Sequence, residues 1–337
     1  MSTKGTAVQT SSSFRMSYRD VAMHKVMLQD VVRTDAYEKA IKTVVGPGHS
    51  VLDFGCGTGI LSMFAARAGA KKVIAVDRSS FIKTAQWIAL ENGFTNIDFY
   101  HDDHKSLQIQ EKVDVIVSEW MGHCLFYEAM LEPLLEIRDR FLAKDGIMIP
   151  AEVSLHAGLV CDKEILDDLS FLKSDPYNID FSPIAHTPFE QSDLVTLDPE
   201  SILENTAHLG SMNMSNIGKV STPRVFSGTL KPNKKADIYA LCAWFSADLC
   251  PGVSFGTGPN DMPTHWDQIL LPLPEPFRVD PARELTISVS PLTEQVGAEQ
   301  FWAWSISDSE KTLCVNEQQQ QLRTLIDLPA GKLAAND

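Results

Sequence analysis

The stretch VLDFGCGTGILSMFAARAGAKKVIAVD, residues 51–77, decides the fold class. VLDF reads as a strand feeding a glycine-rich turn, LSMFAARAGA as a helix with a C-terminal glycine, and KKVIAVD as a second strand, which together make a βαβ unit. Gly55, Gly57 and Gly59 fall in the turn, where backbone without side chains can approach a ligand closely. Asp77 ends the second strand, where a carboxylate can accept both hydroxyls of a ribose. The spacing is G-x-G-x-G rather than G-x-G-x-x-G, so a dinucleotide pyrophosphate is not the first choice. A tight turn serving packing alone is the alternative, and the order strand, turn, helix, strand, acid makes it the weaker one.

Outward from this unit the alternation continues. SFIKTAQWIALENG reads as helix, IDFY and VDVIVSEW as strands, and EAMLEPLLEIRDRFLAKDG as a long amphipathic helix closed by Gly146. The first half is therefore expected to be an α/β doubly wound, Rossmann-like domain. Residues 17–45 carry mixed apolar and charged positions and predict one or two helices ending at Gly46-Pro47-Gly48. Beyond Pro150 short alternating stretches, among them VSLHAGLV, ADIYALCAWFSADL, ELTISVSPL and FWAWSISD, predict antiparallel β structure. KEILDDLSFLKSDPY interrupts them as a helical segment. The expected division is a flexible leader over 1–16, N-terminal helices over 17–48, the nucleotide-type domain over 49–150 and a β domain over 151–337.

The chain has 337 residues, 44% hydrophobic and 22% charged, ordinary values for a globular protein with real cores. Its 29 Lys and Arg against 44 Asp and Glu give a formal charge of −15, which argues against a nucleic-acid-binding surface and suits cationic partners. Six scattered cysteines without a CxxC pair predict no zinc site and a reducing, cytoplasmic setting, with the nucleus also open to a eukaryotic protein. No run reaches transmembrane length, so no membrane partner is expected.

SEWMGHCLFYEAML, residues 118–131, sets Glu119 and Glu128 in an otherwise apolar and aromatic stretch. For Glu128 the bland explanation is an acid at a helix N-terminus. Glu119 follows directly on a strand beside Trp120 and Met121, where an unpartnered carboxylate would be costly. A guanidinium, with five donors in a planar fork, would satisfy both acids.

Asp53 with the glycine turn resembles the motif of S-adenosylmethionine-dependent methyltransferases. SEWMGHCLFYEAML resembles the double-glutamate loop of the protein arginine methyltransferases, PTHWDQIL (residues 263–270) their Thr-His-Trp loop, and SYRDVAMHKVMLQDVVRTDAY their cofactor-covering helix. These three motifs, in order over residues 17 to about 290, imply a Rossmann-like domain followed by an antiparallel β-barrel with a helical dimerisation arm near 162–184.

The resemblance also implies roles. Glu119 and Glu128 would clamp the guanidinium of an arginine in a basic protein or peptide, with Glu119 also beside the cofactor. Arg33 would meet the carboxylate of S-adenosylmethionine, His24 and Met27 would line its pocket, Gly55 and Gly57 support its methionine part, and Asp77 its ribose. Asp103 in HDDH is the candidate for the adenine, with Asp102 as substitute, and a metal there is not expected. His265, oriented by Asp30, would accept the proton finally lost. Tyr18, Met130 and Trp266 would wall the substrate channel. Met27 and Met130 imply mono- and asymmetric dimethylarginine as products, and Ile165, Leu166, Leu169, Phe171 and Leu172 suit the arm of a homodimer.

Three positions depart from the resemblance: His123 stands where the family usually has Tyr, FRMSY (residues 14–18) keeps only the final Tyr of a Tyr-Phe-x-x-Tyr segment, and His104 occupies the usual acidic adenine-contact place. His123 and FRMSY motivate an alternative reading as a noncatalytic regulatory subunit, against which the retained Glu119, Glu128, Asp30, His265 and Arg33 argue. A small-molecule methyltransferase is a third reading, disfavoured by the Thr-His-Trp loop.

Overall fold

Residues 21–218, 224–292 and 300–318 are described in a computed structural model of the chain. Strands β1 (Ser50–Phe54), β2 (Lys72–Asp77), β3 (Ile97–His101), β4 (Val113–Val117) and β5 (Leu142–Ile149) form a parallel sheet in the order β3-β2-β1-β4-β5. Val51, Leu52, Val73, Val76, Val115 and Ile116 are buried along its middle strands, as the continuous apolar runs require. The order reverses between β1 and β4, so the loops leaving these two strands flank the crevice where such sheets bind ligands.

Helices α1 (Val21–Gln29), α2 (Val31–Val44), α3 (Ile60–Arg67), α4 (Ile82–Glu91) and α5 (Leu131–Phe141) accompany the sheet. α2 starts at Asp30, whose side chain accepts the Arg33 N–H, and it buries Arg33, Tyr37, Ala40 and Ile41 at helical spacing. That face packs against α3 on one side and against the second half of the chain on the other.

The segment expected as one helix through Gly146 is shorter. α5 ends at Phe141, and Leu142 passes straight into β5, which pairs with β4. The reason is edge pairing: Leu142 and Ile147–Ile149 supply strand partners, with the residues between them bulged out where the register shifts. Glu128 accordingly does not open a helix; it lies before α5 in the loop.

The second half comprises β6 (Glu152–Val160), α6 (Lys163–Leu169), β7 (Asp193–Val195), β8 (Ala207–Asn213), β9 (Phe226–Leu230), β10 (Ala236–Cys250), β11 (Val253–Gly256), β12 (Gln268–Val279), β13 (Leu285–Pro291), β14 (Trp302–Ser307) and β15 (Thr312–Asn316). They make two antiparallel sheets, β7-β12-β10-β6-β8 with β11 on β10, and β15-β14-β13-β9. β8 lies against β9 and β12 against β15, the adjoining edges of the expected barrel; among the described strands no hydrogen-bonded ladder closes it. At the first edge the backbones touch: a Cβ on Gly228 would lie 2.1 Å from the His208 carbonyl oxygen, so only glycine fits.

The expected arm divides between two faces. Asp162 caps α6, and Ile165 and Leu169 pack on the outer face of the larger sheet with Val160, Ala240 and Trp244. Phe171, Tyr177, Ile179 and Ile184 are exposed. No helix among the described residues is long and apolar enough to cross a membrane, and no group of His, Cys, Asp and Glu among them could hold a metal ion.

Candidate functional site

The glycine turn after β1 is left-handed at Gly55, Gly57 and Gly59 (φ 77°, 52° and 76°), so side chains there would be strained as well as crowded. A Cβ on Gly57 would lie 3.2 Å from His24 Cε1, and one on Gly55 3.3 Å from Met130 Cε. Asp77 holds the turn from the end of β2, Oδ2 accepting the Gly57 N–H at 2.9 Å and Oδ1 the Ser79 N–H at 2.7 Å. His24 is buried against Phe81, ring centroids 3.9 Å apart. Met27, half-buried on α1, gives its carbonyl oxygen to Arg33 Nη1 at 2.8 Å. This bare backbone beside an acid and a cation is a cradle that fits an adenosyl amino acid.

Asp103 is placed differently from its expected role. Its Oδ1 accepts the Lys105 and Ser106 N–H groups and the Ser106 hydroxyl, which hold its carboxyl down to about 2. The side chain is exposed and engaged in capping a turn, the usual use of Asp in a loop.

Glu119 follows β4 by two residues, and its preceding neighbour is pinned twice: the Ser118 carbonyl accepts the Tyr37 hydroxyl at 3.0 Å, and the Ser118 hydroxyl donates to Phe54 O at 2.7 Å. Tyr37 and Ser118 escaped the sequence reading; the signal for Tyr37 is its place four residues after Arg33 on the buried face of α2. Arg33, expected on the cofactor, lies on Glu119: Nε and Nη2 both stand 3.1 Å from Oε2. Glu119 Oε1 makes no hydrogen bond among the described residues, so one oxygen of this largely buried carboxylate remains for another donor. The loop then doubles back, with Leu125 N–H donating to Gly122 O and left-handed backbone at Cys124, Leu125 and Ala129. This return packs Glu128 on Gly122, where an added Cβ would meet the Glu128 backbone nitrogen at 2.8 Å and its Cγ at 2.9 Å.

The loop before β12 closes the crevice from the β domain. His265 donates its backbone N–H to Asp30 Oδ2 at 2.9 Å, and its Nδ1 lies 2.7 Å from the same oxygen. Burial raises the Asp30 pKa, but the hydrogen bonds from His265 and Arg33 outweigh it and leave the carboxyl below its ordinary value. Trp266, expected to wall a channel, is only 1% exposed: its ring stacks on Phe255, centroids 5.4 Å apart, and Nε1 donates to Met121 O at 2.6 Å. It is a pillar between the two loops because a buried indole N–H needs an acceptor, and the glutamate loop provides one. His123 returns the contact, with Nδ1 2.5 Å from Trp266 O. Met130 is half-buried beside Gly55, while Tyr18 lies outside the described residues.

The structure therefore brings Asp30, Arg33, Glu119, His123, Met130, His265 and the glycine turn to one crevice, with Glu128 on the loop that lines it. Two acids on a dry loop, one oxygen open, beside a cradle for an adenosyl ligand can hold a planar cation next to a group donor.

Residues 46–198 match the family described as methyltransferase domain, and residues 151–300 the arginine methyltransferase oligomerization subdomain. Protein arginine N-methyltransferase 1 of Schizosaccharomyces pombe is 35% identical over 259 residues, covering 75% of this chain and 76% of that protein. Protein arginine N-methyltransferase 6 of Xenopus laevis is 33% identical over 291 residues, covering 81% of this chain and 85% of that protein. Among solved structures, the Trypanosoma brucei PRMT1 enzyme-prozyme heterotetrameric complex with AdoHcy superposes with a TM-score of 0.81 at 30% identity, covering 89% of this chain and all of that one. Arabidopsis thaliana protein arginine methyltransferase 10 shares the fold, with a TM-score of 0.77 at 23% identity over 89% of this chain and 99% of that one.

Beneath the cradle, Asp53 is fully buried, with Oδ2 accepting the Ser62 hydroxyl at 2.6 Å and Oδ1 lacking a hydrogen-bond partner. Burial raises its pKa to about 7. The folded protein thus binds a proton that the unfolded chain, with an ordinary Asp near ~3.9, releases earlier. Stability from this group is full below about 4 and is lost as pH rises toward 7. Asp53→Asn should therefore gain on the wild type as pH increases, with urea midpoints closer to or above the wild type at pH 8 than at pH 5; a difference that does not change with pH would contradict the buried neutral acid.

Proposed function

The chain belongs to the protein arginine methyltransferase family, and from that membership we propose how its own residues carry the reaction. It is an enzyme of the S-adenosylmethionine-dependent methyltransferases and acts on arginine in protein substrates. The observation that carries the residue-level reading is the crevice itself, in which Glu119 keeps one oxygen open on a loop that folds Glu128 back onto Gly122.

S-adenosylmethionine supplies, when bound, a methyl group on a positively charged sulfonium. Gly55 and Gly57 give it backbone at close range, Asp77 receives the ribose, His24 and Met27 line the pocket, and Arg33 offers its cation to the carboxylate while steadying Glu119. Glu119 and Glu128 hold the substrate guanidinium and draw its positive charge away from the nitrogen to be methylated, which leaves that nitrogen more nucleophilic. Free guanidinium is too basic to lose a proton early, so the proton leaves as the new bond forms. Asp30 can only accept, so His265 carries its hydrogen on Nδ1 and keeps the Nε2 lone pair for that proton, directly or through water. Met27 and Met130 stand where members of the resembled family that make asymmetric dimethylarginine carry methionine, which supports mono- and asymmetric dimethylarginine as products.

The −15 charge supports basic, arginine-containing partners, and the free cysteines a reducing cytoplasmic setting. Residues 17–48 and 49–150 would serve the cofactor, and 151–337 the substrate. Exposed Phe171, Tyr177, Ile179 and Ile184 on the segment near 162–184 support a homodimer. The reading as a noncatalytic subunit is not favoured, since the chain keeps both glutamates and the Asp30–His265 pair.

Incubated alone with radiolabelled cofactor and an Arg/Gly-rich peptide, the purified protein should label arginine. Glu128→Gln should lower kcat by roughly a hundredfold or more, as loss of charge stabilisation does, with cofactor Kd nearly unchanged. Absence of label despite tight cofactor binding would overturn the activity, and equal loss of both properties would displace Glu128 from the clamp. Sedimentation should find a dimer at assay concentration; an active monomer would remove the proposed assembly.

A further inference from the structure

Tyr37 sits one turn after Arg33 on the same face of α2 and is fully buried, where a phenylalanine would fill the space without a polar atom to satisfy. Its hydroxyl, with one hydrogen to give, donates to Ser118 O at 3.0 Å and lies 3.8 Å from Met121 Sδ. The two contacts bracket Glu119. Ser118, also fully buried, ties each of its polar groups to a different element: its N–H to Ile149 O at the end of β5, its hydroxyl to Phe54 O at the end of β1, and its carbonyl to Tyr37. Strand β4 ends at Val117, so this carbonyl lies past the ladder, and among the described residues Tyr37 is its hydrogen-bond donor. Phe54 leads directly into Gly55 of the cradle turn, and Ser118 directly into Glu119. Burial, then the negative charge of Glu119, holds the Tyr37 phenol well above its ordinary pKa against the pull of Arg33, so it stays a donor and takes no proton from the reaction.

We propose that Tyr37 is a positioning residue for methyl transfer: its hydroxyl fixes the peptide between Ser118 and Glu119, and with it the distance of the guanidinium clamp from the glycine turn. This rests on reading Glu119 as one jaw of that clamp. Arg33 holds only the far end of the Glu119 side chain, Nε and Nη2 both at 3.1 Å from Oε2, and that pair alone lets the carboxylate swing about one oxygen. With the peptide fixed at the near end as well, the open oxygen keeps one direction. Both holds come from α2, four residues apart. Ser118 is out of reach of water, so without the hydroxyl its carbonyl has no partner and the peptide is free to turn. A misplacement of about 1 Å costs about a hundredfold in rate; a Glu119 still held by Arg33 moves less, and about tenfold is expected.

The test removes the donor from the whole protein and keeps the ring. Where Tyr37→Phe is as folded as the wild type, kcat with an Arg/Gly-rich peptide should fall about tenfold, while the Kd for S-adenosylhomocysteine stays, because Ser118 still holds Phe54. Ile41→Val thins the same buried face of α2 and should lower the urea midpoint with kcat unchanged, which separates positioning from stability. Tyr37→4-fluorophenylalanine, which fills the place of the hydroxyl and cannot donate, takes over if the phenylalanine variant misfolds, with the same fall expected. Wild-type kcat in the folded variant without a donor, a cofactor Kd that worsens as much as kcat, or an equal fall of kcat in Ile41→Val overturns the proposal. No methylarginine from the wild type would remove the arginine-transfer reading instead. The hold of Tyr37 on Glu119 is then read without turnover, from crystals of wild type and variant with S-adenosylhomocysteine: a displaced Glu119 carboxylate supports it and a superposed one overturns it.

Discussion

The Asp30 carboxylate takes hydrogens from the start of its own helix and from a loop 235 residues further along the chain. Its Oδ1 accepts the Arg33 N–H at 3.0 Å and so caps α2, while Oδ2 accepts from both the backbone and the ring of His265. A buried acid with three donors is held as the anion, and a buried anion fixes its donors in turn. Capping starts α2 where Arg33 and Tyr37 fall on its buried face, one to meet Glu119 and the other to hold Ser118. The same residue thereby sets the cofactor layer, the glutamate loop and the β domain against one another.

The remaining ties between the loops are few and reciprocal. Trp266 donates its indole N–H to Met121 O, and Trp266 O faces the Nδ1 of His123. Each loop thus gives one donor and one acceptor to the other, which leaves little freedom for sliding between the halves at the site. Left-handed backbone at Cys124, Leu125 and Ala129 is the strain that this arrangement sustains. An overall charge of −15 favours approach of a basic chain, but the local Arg33–Glu119 pair keeps the acidic crevice from being a uniform negative hole.

Much of this was legible in the sequence because it depends on period and order. Strand-length apolar runs, the glycine turn and Asp77 define the parallel sheet and its crevice, and the double-glutamate and Thr-His-Trp loops point to the two sides of the site. What escaped depends on choices that local pattern leaves open. LAKDG suits a helix end as well as a strand start, and pairing with β4 decides between them. Trp266 reads equally as channel wall or core pillar until the acceptor of its N–H is known. Arg33 has a carboxylate within the chain that no spacing announces, and Asp103 satisfies its own turn.

Coupling between Asp30 and His265 is the most direct gauge of the account. In a double-mutant cycle on kcat, Asp30→Asn and His265→Gln should each slow turnover, and the double variant should be no slower than the worse single one, as for residues acting as a unit. Losses that simply add would mean that the carboxylate and the imidazole work independently, and would contradict the arrangement on which the site is built.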